Sequence, residues 1–164
     1  MNDTDHNHLV RAVDLAEKGL ELGNDPFGSV LVSGDGKVLF EDHNQIGGGD
    51  STRHPELAIA QWAAANLSPE ERARATVYTS GEHCPMCAAA HGWVRLGRIV
   101  YASSSEQLAE WLGEFGATPQ SVRRLAIGDV LVNPDIQGPE PRLADRLREL
   151  HRRRYEAGGY GNKP

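Results

Sequence analysis

Two short motifs in this sequence carry side chains of the types that bind metal and transfer protons. The first is His54-Pro55-Glu56, and the second, later in the chain, is Cys84-Pro85-Met86-Cys87. One imidazole and two thiolates leave a tetrahedral zinc ion one ligand short, and an open position that holds water is typical of a catalytic site. A carboxylate near the metal but not bound to it can carry the protons of that water, which assigns Glu56 as proton shuttle. The predicted zinc ligands are His54, Cys84 and Cys87.

The sequence around each motif predicts how these groups are presented. Pro55 suits the first position of a helix, because proline has no N–H to lose there, so His54 would precede the helix and Glu56 would lie in its first turn. Cys84 and Cys87 are three residues apart and would share one face at the start of a second helix. A helix N-terminus also favours the thiolate form that zinc requires.

Two other interpretations of the motifs remain open. His83 could be the fourth ligand of a closed, structural zinc site. Alternatively, the two cysteines could be a reduced pair without metal, since C-x-x-C also occurs in redox motifs. Neither interpretation has a use for the carboxylate of Glu56, so a catalytic site is favoured. The sequence assigns no role to His91, which lies one helical turn after Cys87.

The length and charge of the chain limit its class. A chain of 164 residues is long enough for one domain with a full core and too short for two. We expect a single domain over 1–164, with its core at about 9–155 and flexible tails at 1–8 and 157–164. The net charge of −6 disfavours a general affinity for phosphate backbones. Nucleic acid is therefore an unfavoured partner, and a small nucleobase or nucleoside is favoured.

The cysteine content predicts a compartment. Only two cysteines are present, and both are assigned to the metal, so no disulfide framework is left. This usage predicts a reducing, cytoplasmic setting. The sequence contains neither an apolar run of membrane-spanning length nor an N-terminal signal segment, so we expect no membrane partner.

Hydrophobic periodicity predicts alternating helices and strands. A helix from Leu9 to Gly23 would precede a β-hairpin over 29–33 and 37–42. The later predicted elements are helices over 55–66, 84–94, 106–116 and 143–151, and strands over 75–80, 98–102 and, more weakly, 127–132. The strand–helix–strand unit of 75–102 should be parallel with a right-handed crossover. The predicted fold is a three-layer α/β/α domain with a mixed five-stranded sheet and helices on both faces.

The motifs also carry a resemblance to a known family. From Leu9 to Ala102 the chain resembles the zinc-dependent cytidine and deoxycytidylate deaminase superfamily, and it looks closest to the bacterial guanine deaminases and related nucleoside deaminases. The matching stretches are Pro26-Phe27-Gly28, His43-Asn44, His54-x-Glu56, Cys84-Pro85-Met86-Cys87 and Trp93-x-Arg95. The sequence departs from the usual pattern in having His83 where proline is common and Pro55 where alanine is common.

This resemblance implies the cytidine-deaminase-like fold and a hydrolase, specifically an aminohydrolase that acts on cyclic amidines and releases ammonia. Zinc-bound hydroxide would attack the ring carbon, and Glu56 would pass a proton to the neighbouring ring nitrogen and then to the leaving amine. The resemblance further implies that Asn44 hydrogen-bonds the substrate ring, that Phe27 stacks on it and that Trp93 lines the pocket. Glu110 and Glu114 are the candidates for an acidic residue that holds the 2-amino group of a purine. The expected substrate-binding residues are Asn44, Phe27, Trp93, Pro55, Glu114 and Glu110.

The resemblance also implies a homodimer in which a C-terminal aromatic residue closes the pocket, for which Tyr155 and Tyr160 are the candidates. Guanine is the leading substrate within a class of purine-like bases and nucleosides. The alternatives are a tRNA adenosine deaminase, a deaminase of cytosine, a pterin or an aminotriazine, and a non-catalytic, zinc-stabilised interaction protein. The acidic balance disfavours tRNA, and Glu56 disfavours a non-catalytic role because it has no evident structural use beside a metal.

Overall fold

The computed structural model describes residues 1–161, which form one sheet flanked by helices. The strands are β1 (Gly28–Val32), β2 (Val38–His43), β3 (Thr76–Gly81), β4 (Arg98–Ser103) and β5 (Ile136–Gln137). The helices are α1 (Asp3–Glu21), α2 (Pro55–Asn66), α3 (Pro69–Arg74), α4 (Pro85–Trp93), α5 (Ser105–Phe115), α6 (Ile127–Val130) and α7 (Ala144–Glu156). The strand order is β2-β1-β3-β4-β5. Strand β1 is antiparallel to both of its neighbours, whereas β4 is parallel to β3 and β5, so the predicted mixed five-stranded sheet is confirmed.

Helices cover both faces of the sheet, and strand β1 is therefore buried on both sides. All five of its residues are buried, and successive side chains enter opposite cores. Val30 packs in a core with Leu9 of α1 and Leu147 of α7. Leu31 packs on the other face with Ile59 of α2. The two cores explain the predicted three-layer arrangement, which the structure confirms.

The unit β3–α4–β4 leads directly to the site. Strands β3 and β4 pair in parallel from Thr76↔Arg98 to Gly81↔Ser103, as predicted. Because α4 follows the carboxyl end of β3, its first turn lies above the edge of the sheet where β1 begins at Gly28. The predicted hairpin, and the predicted bounds of α2, α4 and α5, are also confirmed to within a few residues.

The fifth strand lies elsewhere than predicted. Residues 127–132 begin with the single helical turn α6, in which Ile127 is buried, and Val132 after it is 90% exposed. A short apolar run does not distinguish a strand from a helical turn by its periodicity. Strand β5 lies in the proline-rich connection that follows, where Ile136 pairs with Ile99.

The N-terminal residues are helical, so the prediction of a flexible tail at 1–8 is wrong. Helix α1 begins at Asp3, and Asn2 and Asp5 form a reciprocal capping box. The Asp5 side chain is buried, accepts a hydrogen bond from the Tyr78 hydroxyl at 2.9 Å and forms an ion pair with Arg98 at 2.9 Å. Burial by itself would raise the pKa of Asp5, but the bonds from Arg98 and Asn2 hold it below its ordinary value.

The C-terminal segment also departs from the predicted tail. Helix α7 extends to Glu156, and the chain then turns back so that the Tyr160 carbonyl accepts a hydrogen bond from Thr118 N at 3.1 Å. The predicted flexible segment from 157 is thus a defined turn as far as Gly161, and 162–164 lie outside the described residues. Within 1–161, no helix combines the length and apolar character needed to cross a membrane.

Replacing Asp5 by alanine is expected to lower the free energy of unfolding by about 2 kcal/mol, because it leaves a half-buried guanidinium without its partner. Urea denaturation followed by circular dichroism measures this loss. Asp3→Ala, at an exposed position of the same turn, is the matched control and should change stability by less than about 0.5 kcal/mol. Because the pKa of Asp5 is lowered, the difference between the two variants should shrink as the pH falls below the ordinary aspartate value. Equal losses at neutral pH would contradict the assigned role of Asp5.

Candidate active site

Three predicted metal ligands meet where α2 and α4 begin. His54 is the N-cap residue of α2 and Cys84 is the N-cap residue of α4, both with extended backbone, while Cys87 lies in the first turn of α4. The Nδ1 atom of His54 lies 3.6 Å from the Sγ atom of each cysteine. Tetrahedral zinc, bonded at roughly 2.3 Å to sulfur and 2.0 Å to nitrogen, requires a nitrogen–sulfur separation of roughly 3.5 Å. The donor set therefore fits zinc.

The two thiols and the imidazole of this cluster are hydrogen-bonded to one another, and these bonds shift the pKa values of all three groups. The Cys87 thiol hydrogen-bonds the Cys84 sulfur and, with help from His54, lowers the pKa of Cys84 to about 4. The same shared proton, together with burial, raises the pKa of Cys87. The bond to Cys84 also raises the pKa of His54. Metal binding displaces such protons, so zinc affinity should fall as the pH is lowered.

Glu56 lies beside the cluster and is held by two hydroxyl groups. Its Oε1 atom accepts hydrogen bonds from Ser29 Oγ at 3.0 Å and Thr79 Oγ1 at 2.7 Å, and the side chain is buried. Ser29 and Thr79 are paired across β1 and β3, which points both hydroxyls to the same side of the sheet. Burial raises the pKa of Glu56, although the neighbouring His54 imidazole opposes this rise. The carboxyl group is therefore fixed in rotation and prepared to hold a proton.

A cavity of about 550 Å³ opens onto His54, Glu56 and Cys84. This volume is in the range of small-molecule sites. The larger apolar and aromatic side chains in its wall are Phe27, Ile46, Met86, Leu108, Leu125 and Tyr160. Another cavity, of about 670 Å³, lies along β4 and contains none of the four motif residues. The chemistry of the lining, rather than its volume, thus selects the first cavity as the candidate site.

Phe27 is the predicted substrate contact that lies in the cavity wall. Its ring is held edge-on to His151 at 5.2 Å and rests on Gly81, where an added Cβ atom would lie 2.9 Å from the ring. Pro55 and Asn44 are buried next to the site but are not part of the cavity wall. The Asn44 Oδ1 atom accepts a hydrogen bond from Ile46 N at 3.2 Å and so shapes the loop that leads to the site.

Trp93, Glu110 and Glu114, three of the predicted substrate contacts, do not line this cavity of the chain. Trp93 is the last residue of α4 and is 87% exposed, since its position faces away from that of Cys87. Glu110 and Glu114 are on the solvent side of α5, and Glu114 pairs with Arg148 at 2.8 Å. Of the two C-terminal tyrosines, Tyr160 lines the cavity, whereas Tyr155 packs against Phe115.

His83 is separate from the candidate ligands. The described residues give only one group of metal-binding type here, which comprises His54, Cys84 and Cys87. His83 is 1% exposed, and its ring faces that of His91 at 5.5 Å. The closed zinc site with His83 as fourth ligand is therefore not formed. Desolvation lowers the pKa of His83, which keeps the imidazole neutral in the core.

Sequence reasoning missed two groups of residues at this site. Ser29 and Thr79 support Glu56, but their alternation within apolar strands gave no signal of that role. Glu82 precedes the cysteine motif, and its carboxylate accepts hydrogen bonds from Ser105 N at 2.7 Å and Ile127 N at 2.8 Å. It thereby ties two later segments to the site. Only the tertiary fold brings these partners together.

A mixed sheet whose helices bring one His and two Cys together beside a buried Glu, at the edge of a cavity, is typical of zinc-binding deaminases. Residues 2–103 match the model of the cytidine and deoxycytidylate deaminase zinc-binding region, and the chain belongs to this family. The zinc site of the family corresponds here to His54, Cys84 and Cys87.

Individual relatives differ in what they act on. The chain is 36% identical over 104 residues to a guanine deaminase of Bacillus subtilis, which covers 62% of this chain and 66% of that protein. It is 31% identical over 130 residues to a tRNA-specific adenosine deaminase of Agrobacterium fabrum, which covers 77% and 80%. The solved structure of the Bacillus subtilis guanine deaminase superposes with a TM-score of 0.56 at 26% identity, covering 100% of this chain and 98% of that one.

Thr79→Val should lower kcat about 10-fold with little change in KM or zinc content, because it removes a hydrogen bond to Glu56 and preserves the side chain's shape. Zinc analysis and steady-state ammonia release measure these quantities. Ser103→Ala is the matched control, since it removes a buried hydroxyl that bonds Ser80 O at 3.0 Å without contacting Glu56. If both variants lost the same activity, Thr79 would have no specific role in positioning Glu56.

Proposed function

We propose that this protein is a zinc-dependent aminohydrolase that deaminates an amino-substituted, purine-like base or nucleoside, with guanine as the first candidate. The observation that carries the proposal is the Glu56 carboxyl group, buried, held by two hydroxyls and placed between the metal-binding cluster and the cavity. Because both cysteines are assigned to zinc, we place the protein in the reducing cytoplasm.

The residues of the chain divide the work of such a reaction. Zinc, when bound, supplies a water that ionises near neutral pH. Glu56 accepts one proton of the attacking water and delivers it to the ring nitrogen beside the attacked carbon. It then takes the remaining proton from the hydroxyl group that has been added to this carbon and gives it to the leaving amine. Phe27 lies in the cavity wall and provides an aromatic surface on which the flat ring of the substrate stacks. The overall change is addition of water and release of ammonia, with a carbonyl in place of the amine.

Guanine is the first candidate because of the sequence and structural similarity to a guanine deaminase over the zinc-binding region. A tRNA adenosine substrate is the second candidate, favoured by the longer alignment with a tRNA-specific deaminase. The basic run of α7 speaks against it, because its arginines are already paired with acidic side chains. The pairs are Arg152 with Glu149 and Glu156, Arg153 with Glu17, and Arg154 with Asp25.

Ammonia release by the zinc-loaded protein tests the proposal against a panel of guanine, guanosine, adenosine, cytosine, cytidine, a pterin and an aminotriazine. Turnover of one class is expected, and Glu56→Gln should reduce kcat by at least about 100-fold while zinc content and unfolding temperature are retained. Activity that survives in Glu56→Gln would contradict the assigned proton shuttle.

If no compound of the panel is turned over, the small-molecule proposal is wrong, and two alternatives are tested next. Binding of a tRNA anticodon stem-loop that weakens steeply with salt would support the tRNA candidate. Absence of both activities would favour a non-catalytic, zinc-stabilised interaction protein, in which Glu56→Gln has no effect beyond stability.

We further propose a homodimer that buries Trp93. Trp93 and Val132 are 87% and 90% exposed, and they lie at one corner of the molecule because Gly92 packs closely against Leu131. Two large apolar side chains exposed together are typical of an interaction surface.

Trp93→Glu is therefore expected to convert a dimer into a monomer, as measured by analytical ultracentrifugation. Leu22→Glu is the matched control, because Leu22 is also exposed, at 62%, but lies at the end of α1. A monomeric wild type, or a Trp93→Glu variant that stays dimeric, would contradict this surface.

A further inference from the structure

The irregular segment 116–126, called here the cavity loop, forms one side of the candidate site. Residues 120–125 line the cavity that contains Glu56. The loop is tied at both ends: Thr118 N bonds the Tyr160 carbonyl at 3.1 Å, and Ile127 N, just after the loop, bonds Glu82 Oε1 at 2.8 Å. These anchors join the loop to the C-terminal turn and to the residues next to the cysteine motif.

The cavity loop carries positive charge without any acidic residue. Its sequence includes Arg123 and Arg124 and no Asp or Glu, in a chain whose net charge is −6. Arg123 is exposed, whereas Arg124 is half-buried. The loop therefore brings positive charge to one side of the cavity in a protein that is acidic as a whole.

Arg124 has an unmet hydrogen-bonding requirement. Its Nη1 atom is shielded from solvent and has no hydrogen-bond partner within residues 1–161. Desolvation lowers the pKa of Arg124, although a guanidinium keeps its charge at neutral pH. Arg124 interacts electrostatically with Tyr160 and with the buried His151, and both of these groups are neutral at neutral pH. Among residues 1–161, this desolvated cation lacks the hydrogen-bonded anion that would normally compensate it.

The three carboxyl groups in the cavity wall, those of Asp25, Glu56 and Glu82, have other partners. Asp25 pairs with Arg154 at 2.7 Å. Glu82 gives one oxygen to Ser105 N and the other to Ile127 N. Glu56 is buried and accepts hydrogen bonds from the hydroxyls of Ser29 and Thr79. These three carboxyl groups therefore do not neutralise Arg124, and its positive charge is available to a bound anion.

We propose that Arg124 forms an anion subsite, which binds a phosphate or carboxylate group carried by the substrate while the ring to be deaminated lies against Phe27 and Glu56. The inference rests on the proposed function and narrows its substrate class from neutral bases to anionic derivatives. A guanidinium is suited to this task because its planar N–H groups bind both oxygens of such an anion at once. The cavity of about 550 Å³ has room for a substituent beyond a single flat ring.

Matched pairs of substrates test the subsite in the zinc-loaded protein. The pairs are guanosine and guanosine 5′-monophosphate, cytidine and cytidine 5′-monophosphate, and pterin and pterin-6-carboxylate, so the phosphate and carboxylate sources are separated. For at least one pair, kcat/KM of the anionic member should exceed that of the neutral member by about 10- to 100-fold, as expected for charge-assisted hydrogen bonds. This advantage should fall at high salt.

Three variants identify the residue responsible. Arg124→Gln should remove the advantage of the anionic member and change turnover of the neutral member less than about 2-fold, and Arg124→Lys should restore part of it. The unfolding temperature of Arg124→Gln should be unchanged or higher, because the Nη1 atom of Arg124 has no partner to lose within residues 1–161. Arg11→Gln is the control for loss of a positive charge outside the cavity. Arg11 of α1 pairs with Glu41 of β2 on the surface at 2.8 Å.

The outcomes separate this inference from the proposed function. Turnover of neutral substrates without an anionic advantage, or equal losses for both members in Arg124→Gln, would overturn the subsite and leave deamination intact. If no substrate is turned over, calorimetric titration with the same pairs decides: tighter binding of the anionic member that depends on Arg124 supports the subsite, and its absence overturns it. Anticodon stem-loop binding that depends on Arg124 would overturn the small-molecule assignment.

Discussion

The whole site depends on two helices that begin side by side. The N-cap residues of α2 and α4 are His54 and Cys84, so the metal-binding groups project from the helix ends instead of lying along the helix sides. Both helices contribute to one apolar core, which includes Ala60 and Ala63 of α2 and Ala90 of α4. A metal site tolerates errors of only ~0.2 Å in its ligand distances, so packing in this core sets the chemistry at the edge of the sheet.

The electrostatics of the same helix ends support the groups that must carry negative charge. The N-terminus of a helix carries a partial positive charge, which favours the thiolate of Cys84 on α4. For Glu56 the main effect is in the other direction, because burial disfavours the ionised carboxylate and raises its pKa. Two acidic groups a short distance apart are thus driven towards different protonation states, one suited to holding a metal and the other to holding a proton. The cost of burying Glu56 is offset by the hydroxyls of Ser29 and Thr79.

The features that sequence predicted well are those set by local spacing. The His-x-Glu and Cys-x-x-Cys motifs each lie within one helical turn, and the hairpin and the β3–α4–β4 unit follow from short-range pattern and chain connectivity. The features that sequence missed depend on partners far apart in the chain. The buried Asp5 is paired with Arg98, which is 93 positions away in the chain, and Glu82 bonds the first residue of α6. A polar residue in an N-terminal stretch gives no local sign of such a partner, so residues 1–8 were predicted to be a flexible tail.

The contact between Phe27 and Gly81 has a consequence for how this family can diversify. The ring occupies the space that a side chain at position 81 would need, so the aromatic wall of the cavity is positioned by the absence of an atom on strand β3. A methyl group added there would displace the ring and change the shape of the cavity, without contacting His54, Cys84, Cys87 or Glu56. Substrate fit and catalytic chemistry can therefore change independently during evolution, and position 81 is a place where selection or engineering can act on the first without disturbing the second.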